Sequence, residues 1–156
     1  MNLGFLEVAM RLDGIVEAAR IQLRAIDEET AAAVPAPGKW SKKEILGHLV
    51  DSAANNEQRL IRAQGVPQLE FPPYDQNAWV HAHGYAQRPW TDLRELWLLV
   101  NKDMVEVLRR TPQAAAGNIV RLGGNEATLA FIAEDYIRHL VHHLEQIGCK
   151  TLPYQD

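Results

Sequence analysis

Residues 128–148 read TLAFIAEDYIRHLVHHLEQIG, and this stretch decides the fold class. Thr128 carries a hydroxyl of the kind that caps a helix start. Ile132, Tyr136, His139, His143 and Ile147 recur at steps of four and three, so they share one helical stripe. Asp135, Arg138, His142 and Glu145 share a second, polar stripe. Gly148 suits the position just past a helix end. The apolar stripe faces a core and the polar one faces water. The spacing therefore predicts His139 and His143 pointing inward and His142 pointing outward.

Three earlier segments have the same period. Phe5, Ala9, Leu12, Val16, Ala19, Leu23 and Ile26 form one stripe, ended by Pro35, Pro37 and Gly38. A second helix starts at Ser41, where Ser41 and Glu44 have capping-box spacing, and continues through Ile45, Leu49, Ala53 and Leu60 to Gly65 and Pro67. A third starts with Thr91 as cap and carries Leu93, Trp97, Val100, Met104 and Val107. No strand pattern competes with these four. The expected fold is all-α, a four-helix bundle in a single domain over residues 1–156.

Composition narrows the function classes. The 156 residues are 47% hydrophobic and 23% charged, ordinary for a soluble domain. Sixteen basic against twenty acidic residues give a net charge of −4. That leaves no electrostatic footprint for nucleic acid and no polybasic run for a membrane surface. The one cysteine, Cys149, excludes an internal disulfide and a multi-cysteine zinc site, and suits a reducing compartment. With no signal core and no spanning segment, a cytoplasmic protein is expected.

Topology rests on the 26 residues from 65 to 90, rich in Pro and aromatics. A chain of that length reaches about 86 Å, against about 36 Å for the second helix. It can return along the bundle, so an up-down-down-up order stands beside simple up-down-up-down. The histidines are tied to this choice. Residues four apart differ by about 40° around a helix, so His139 and His143 leave one face one turn apart. Two readings stand: a pair of hydrogen-bonded core histidines, or two imidazoles for one metal ion. His48 lies about 10 Å into the second helix, while His143 and His139 lie about 6 and 12 Å from the end of the fourth. Antiparallel second and fourth helices bring all three to one height; parallel ones separate them. His48 can also belong to a polar row with Ser52, Asn55 and Arg59.

The run from Trp40 through Ser41, Glu44, Gly47 and His48 to Leu49 resembles the second-helix motif of the DinB/YfiT-like superfamily. The run from His139 through His142, His143 and Gln146 to Ile147 resembles its fourth-helix motif, and Tyr74–Val80 resembles a loop segment of one branch. The resemblance covers about residues 5–148. It implies an up-down-down-up bundle, often dimeric, and a divalent metal, nickel or zinc, held by His48, His139 and His143. It also implies a small-molecule substrate. Characterised relatives include thiol S-transferases using bacterial low-molecular-weight thiols, and metal-dependent hydrolases and isomerases.

Three imidazoles leave a coordination position open, as catalytic metal sites do. An ion there acidifies whatever binds it, water or thiol. Metal affinity is expected to fall as pH drops through about 6.5, the ordinary histidine range. Asp75, in the long connection, is the candidate base or water-orienting residue. Asp135 is either a partner orienting His139 or a solvated carboxylate. Tyr74, Trp79 and Tyr85 are expected to anchor packing, and His81 and His83 to be exposed. Cys149 follows a helix C-terminus, where thiolate is disfavoured. A thiol-dependent or hydrolytic metalloenzyme leads; a metal-binding or stress-response bundle without turnover is the alternative, marked by a closed four-ligand site.

Overall fold

The structure, a computed structural model, describes residues 4–150 together with 152 and 153. The Ser41–Glu44 capping box is present. Glu44 N donates to Ser41 Oγ at 3.3 Å, and Ser41 N donates to Glu44 Oε2 at 2.8 Å. In chain order the helices are α1 (Phe5–Arg24), α2 (Glu28–Ala32), α3 (Lys42–Arg62), α4 (Gln76–His83), α5 (Trp90–Arg110) and α6 (Leu129–Ile147). The four long ones are those read from the periodicity. Thr128 Oγ1 accepts the Phe131 N–H at 3.1 Å, and Gly148 closes α6 at φ 117°, in the left-handed region. The stripe of α1 is buried from Phe5 through Leu12 to Leu23.

Two expectations are corrected. Thr91 does not cap the third long helix: α5 starts two residues earlier than that cap implies, with Pro89 at the cap position. Proline has its φ fixed near the helical value. The Trp90 N–H is met instead by Glu28 Oε2 at 2.8 Å, a carboxylate delivered by α2. The fold is also not purely helical. Strands β1 (Gln68–Phe71), β2 (Ile119–Leu122) and β3 (Asn125–Thr128) form a small sheet in that order. β1 pairs parallel to β2, with Gln68 opposite Ile119, and β2 turns antiparallel into β3 at Gly123, φ 62°. Four-residue strands are too short to show a period, and a parallel partner a third of the chain away leaves no local signal.

The core lies between the long helices, with α1 on α5, α3 on α5 and α6, and α1 on α6. At one end of the α3–α6 seam Lys42 Nζ donates to Ile147 O. At the other, Asn118 Nδ2 donates to Ala63 O at 2.7 Å, and Leu129 N donates to Asn118 O at 2.8 Å. Among the described residues no helix is long and apolar enough to cross a membrane.

The connection from 65 to 90 is folded down by a packing device. Tyr85 is 1% exposed and lies against Gly47, and its hydroxyl donates to Asp51 Oδ1 at 2.7 Å. A Cβ on Gly47 would sit 2.1 Å from the Tyr85 ring. Alanine in mid-helix would otherwise gain about 1 kcal/mol over glycine. Here the overlap decides the sign, and we expect Gly47→Ala to cost about 1–3 kcal/mol in urea unfolding. A stabilised variant would show that the Tyr85 turn is not locked on α3.

Candidate metal centre

α3 carries His48 in its second turn, and α6 carries His139 and His143 in its C-terminal half. The α3–α6 seam sets them side by side. His48 Nε2 lies 3.0 Å from His139 Nε2. The His48 ring is 4.9 Å from that of His139 and 4.7 Å from that of His143, and the last two are 4.5 Å apart. One ligand atom from each falls within 4.8 Å of the other two. His48 is 1% exposed, His139 and His143 are half-buried, and His142 is exposed. The inward and outward assignment made from the stripe is the observed one.

The outer ring nitrogens show which lone pairs are free. His143 Nδ1 lies 2.8 Å from Gln146 Oε1, which can only accept, so Nδ1 carries the proton and Nε2 is a bare lone pair. Gln146 Nε2 in turn donates to His142 Nε2 at 3.2 Å. His139 Nδ1 faces Ser52 Oγ at 3.4 Å, and Ser52 Oγ also accepts from Asn56 Nδ2 at 3.2 Å. His48 Nδ1 is buried with no partner, and Trp40 packs on that ring at 5.1 Å. His48 Nδ1 is unmet in either tautomer, and it stays unmet when Nε2 is the ligand atom, so it does not separate a packed core from a ligand set. As a ligand set it fits: three imidazoles converge. The 3.0 Å nitrogen spacing suits two donors each about 2.1 Å from one ion.

Protonation agrees with that fit. Burial, then the neighbouring imidazoles, lower His48 to about 3 and His139 to about 4. Burial lowers His143 as well. The three are neutral at pH 7, the form that binds a metal. In the metal-free fold, burial holds protonation of these imidazoles below the ordinary histidine range.

The other candidates are placed as follows. Asp75 caps α4, with Oδ1 accepting from Asn77 N at 2.9 Å and Ala78 N at 3.1 Å. It lines a groove of about 860 Å³ with Asn55, Phe71, Tyr74 and Trp79. Asp135 does not orient His139; it is exposed and accepts from Arg138 at 3.2 Å, while Ser52 takes the orienting position. Burial pushes the Cys149 thiol up to about 11, so it is no nucleophile at neutral pH. Tyr136 bonds Asn101, not a histidine. His81 and His83 are exposed.

Sequence reasoning missed Asp51. It is 1% exposed, and its Oδ1 takes the Tyr85 hydroxyl and lies 3.1 Å from His83 Nδ1. Its signal was its place on the buried row of α3, one turn beyond His48. Also unforeseen is a cavity of about 630 Å³ with His143 in its wall, shared with Trp40, Ile45, Gln76, Asn77 and Gln146. α4 contributes residues to this cavity and to the groove beside Asp75.

The fold has known counterparts. YfiT from Bacillus subtilis, described as a probable metal-dependent hydrolase with an unusual four-helix bundle topology, superposes with a TM-score of 0.81. It is 17% identical, over 90% of this chain and 82% of that one. A mycothiol-dependent maleylpyruvate isomerase superposes with a TM-score of 0.77 at 16% identity, over 96% of this chain and 62% of that one. At such identities the likeness is one of fold. The chain spans less than two thirds of the isomerase, and no curated protein sequence matches it. The sequence model of the DinB superfamily matches residues 11–147, and with a helical bundle and a three-histidine cluster at its α3–α6 seam, the chain belongs to the DinB superfamily.

Proposed function

We propose that the protein is a metal-dependent enzyme in which His48, His139 and His143 hold one divalent ion, zinc or nickel, through their Nε2 atoms. Its reaction is transfer to or from a small thiol. The observation that carries the reading is the convergence of three neutral imidazoles beside a cavity whose wall includes one of them. Such an ion supplies a Lewis acid that lowers the pKa of a thiol or a water. The chain's own groups do the rest. Gln146 holds the His143 tautomer, and Ser52 faces His139 Nδ1 and helps to orient that ring. Gln76, Asn77 and Trp40 shape the cavity that admits the substrate. The isomerase neighbour's dependence on mycothiol supports a thiol. The description of YfiT supports hydrolysis at the same site as a second reading.

The same reading takes the helix order as up-down-down-up. It is supported by the bonds at both ends of the α3–α6 seam and by the pairing of Glu17 with Lys102 and Asp13 with Arg109 between α1 and α5.

Arg59 extends the site along α3. Its Nη1 donates to Asn56 Oδ1 at 3.4 Å, which links it through Asn56 to Ser52 and His139. Its Nε is buried without an acceptor, and its guanidinium lies 5.3 Å from the Phe71 ring centre.

Three outcomes test this. Elemental analysis after loading with zinc or nickel should give about one equivalent in the native protein and a loss in His143→Ala. Turnover of thiols with a chromogenic electrophile should fall about 100-fold or more in that variant. Turnover confined to an ester panel would select hydrolysis instead, and absence of metal in the loaded native protein would overturn both.

The third concerns pH. The folded values of His48 and His139 lie below the ~6.5 of an unfolded chain, so the unfolded state takes up protons first on acidification. The metal-free protein therefore has its full stability above about 6.5 and loses stability as pH falls from there through about 4 towards 3. Unfolding midpoints against pH should show this slope, shallower in His139→Ala. A flat profile would contradict burial of the cluster.

A further inference from the structure

A second pocket, between the end of α1 and the start of α5, has no part in the chemistry above. We infer that it binds a small anionic ligand through phosphoryl or carboxylate oxygens. Arg20, Arg24 and Arg94 border this pocket of about 320 Å³. Arg20 is paired with Glu17 at 3.1 Å. Among the described residues, Arg24 and Arg94 have no carboxylate within pairing distance. Among the described residues Glu95 is the one carboxylate on the wall, so the pocket keeps a surplus of positive charge.

Two donors in that wall lack acceptors. Trp97 is fully buried and its Nε1 has no hydrogen-bond partner, and Arg94 Nε is buried in the same condition. Buried N–H groups are nearly always paired, so two orphans in one wall call for an acceptor from outside. An indole N–H can only donate, and guanidinium forks match the paired oxygens of carboxylate and phosphate. Thr91, in the first turn of α5, brings the positive end of that helix to the same wall. Leu23 and Leu98 supply an apolar remainder. The volume is at the small end of ligand sites and exceeds what a bare phosphate fills. None of the lining residues belongs to α3 or α6, so the site shares nothing with the histidine cluster and does not depend on a metal.

Isothermal titration with inorganic pyrophosphate and, separately, with citrate tests this at about 0.15 M salt, where exposed charges are screened beyond about 8 Å. The proteins are the native chain, Arg24→Gln, Arg94→Gln, the double variant and His143→Ala. We expect saturable one-to-one binding, weaker by about tenfold or more in each arginine variant and unchanged in His143→Ala. Preference for pyrophosphate assigns a phosphoryl ligand, and preference for citrate a carboxylate. No saturable heat with either probe up to about 10 mM would overturn the inference. So would native affinity in the double variant, or binding lost only in His143→Ala, which would move the anion to the histidines.

Discussion

Every residue of α3 from Leu46 to Ala53 is buried, because α5 and α6 pack on the helix while α4 and the Tyr85 turn cover another side. That burial takes His48, Asp51 and Ser52 inside. A buried polar group without a partner costs a few kcal/mol, so each needs one from another part of the chain or from its own helix. His139 meets His48, Tyr85 and His83 meet Asp51, and Asn56 with His139 meets Ser52. The needs of one helix thus fix the register of α6 and the path of the long connection. Sliding α6 by one residue would turn its face by about 100° and take both of its inward histidines off His48.

Gly47 makes this arrangement possible and also limits it. Without a side chain there, the Tyr85 ring lies on the α3 backbone and its hydroxyl reaches Asp51 one turn along. The connection is thereby pinned near its end, and α4 is held over α3 so that its first turn borders the cavity containing His143. A tyrosine outside the histidine cluster thus helps to set the shape of the opening through which a ligand reaches it.

Much of this was legible in the sequence, for a reason that also marks its limit. The His139 and His143 stripe, the Ser41–Glu44 box and the Thr128 and Gly148 ends are local signals, and each stands where its spacing placed it. Partnerships across the chain carry no such signal. The β1–β2 pairing joins segments about 50 residues apart, and nothing in Gln68–Phe71 announces it. Pro89 displaced Thr91 as the cap because Glu28 of α2 supplied the missing acceptor. Asp135, at the right helical spacing from His139, was outranked by Ser52, which faces it across the seam. His83 is exposed as expected, yet one of its nitrogens reaches the buried Asp51. Asp51 reads as an ordinary helix carboxylate until the covering turn is known.

The charge balance of the histidine site bears on its chemistry. Three imidazoles bring no negative charge to a divalent ion, unlike sets that include a carboxylate. The nearby acids do not make up the difference. Asp51 is engaged by Tyr85, Asp135 faces solvent beside Arg138, and Asp75 caps α4. Among the described residues no Asp or Glu lines the cavity beside His143; its polar wall is made of the amides of Gln76, Asn77 and Gln146, with Lys39. An amide neither takes up nor releases a proton at neutral pH, so that wall lacks a carboxylate base to activate a water. A site that is positive when loaded and has no such base favours a ligand that carries or readily develops its own negative charge. A thiol, about 8.5 in water and lower beside a cation, meets that condition far more easily than water does. On this ground the thiol reading draws more support from the chain's own residues than the hydrolytic one.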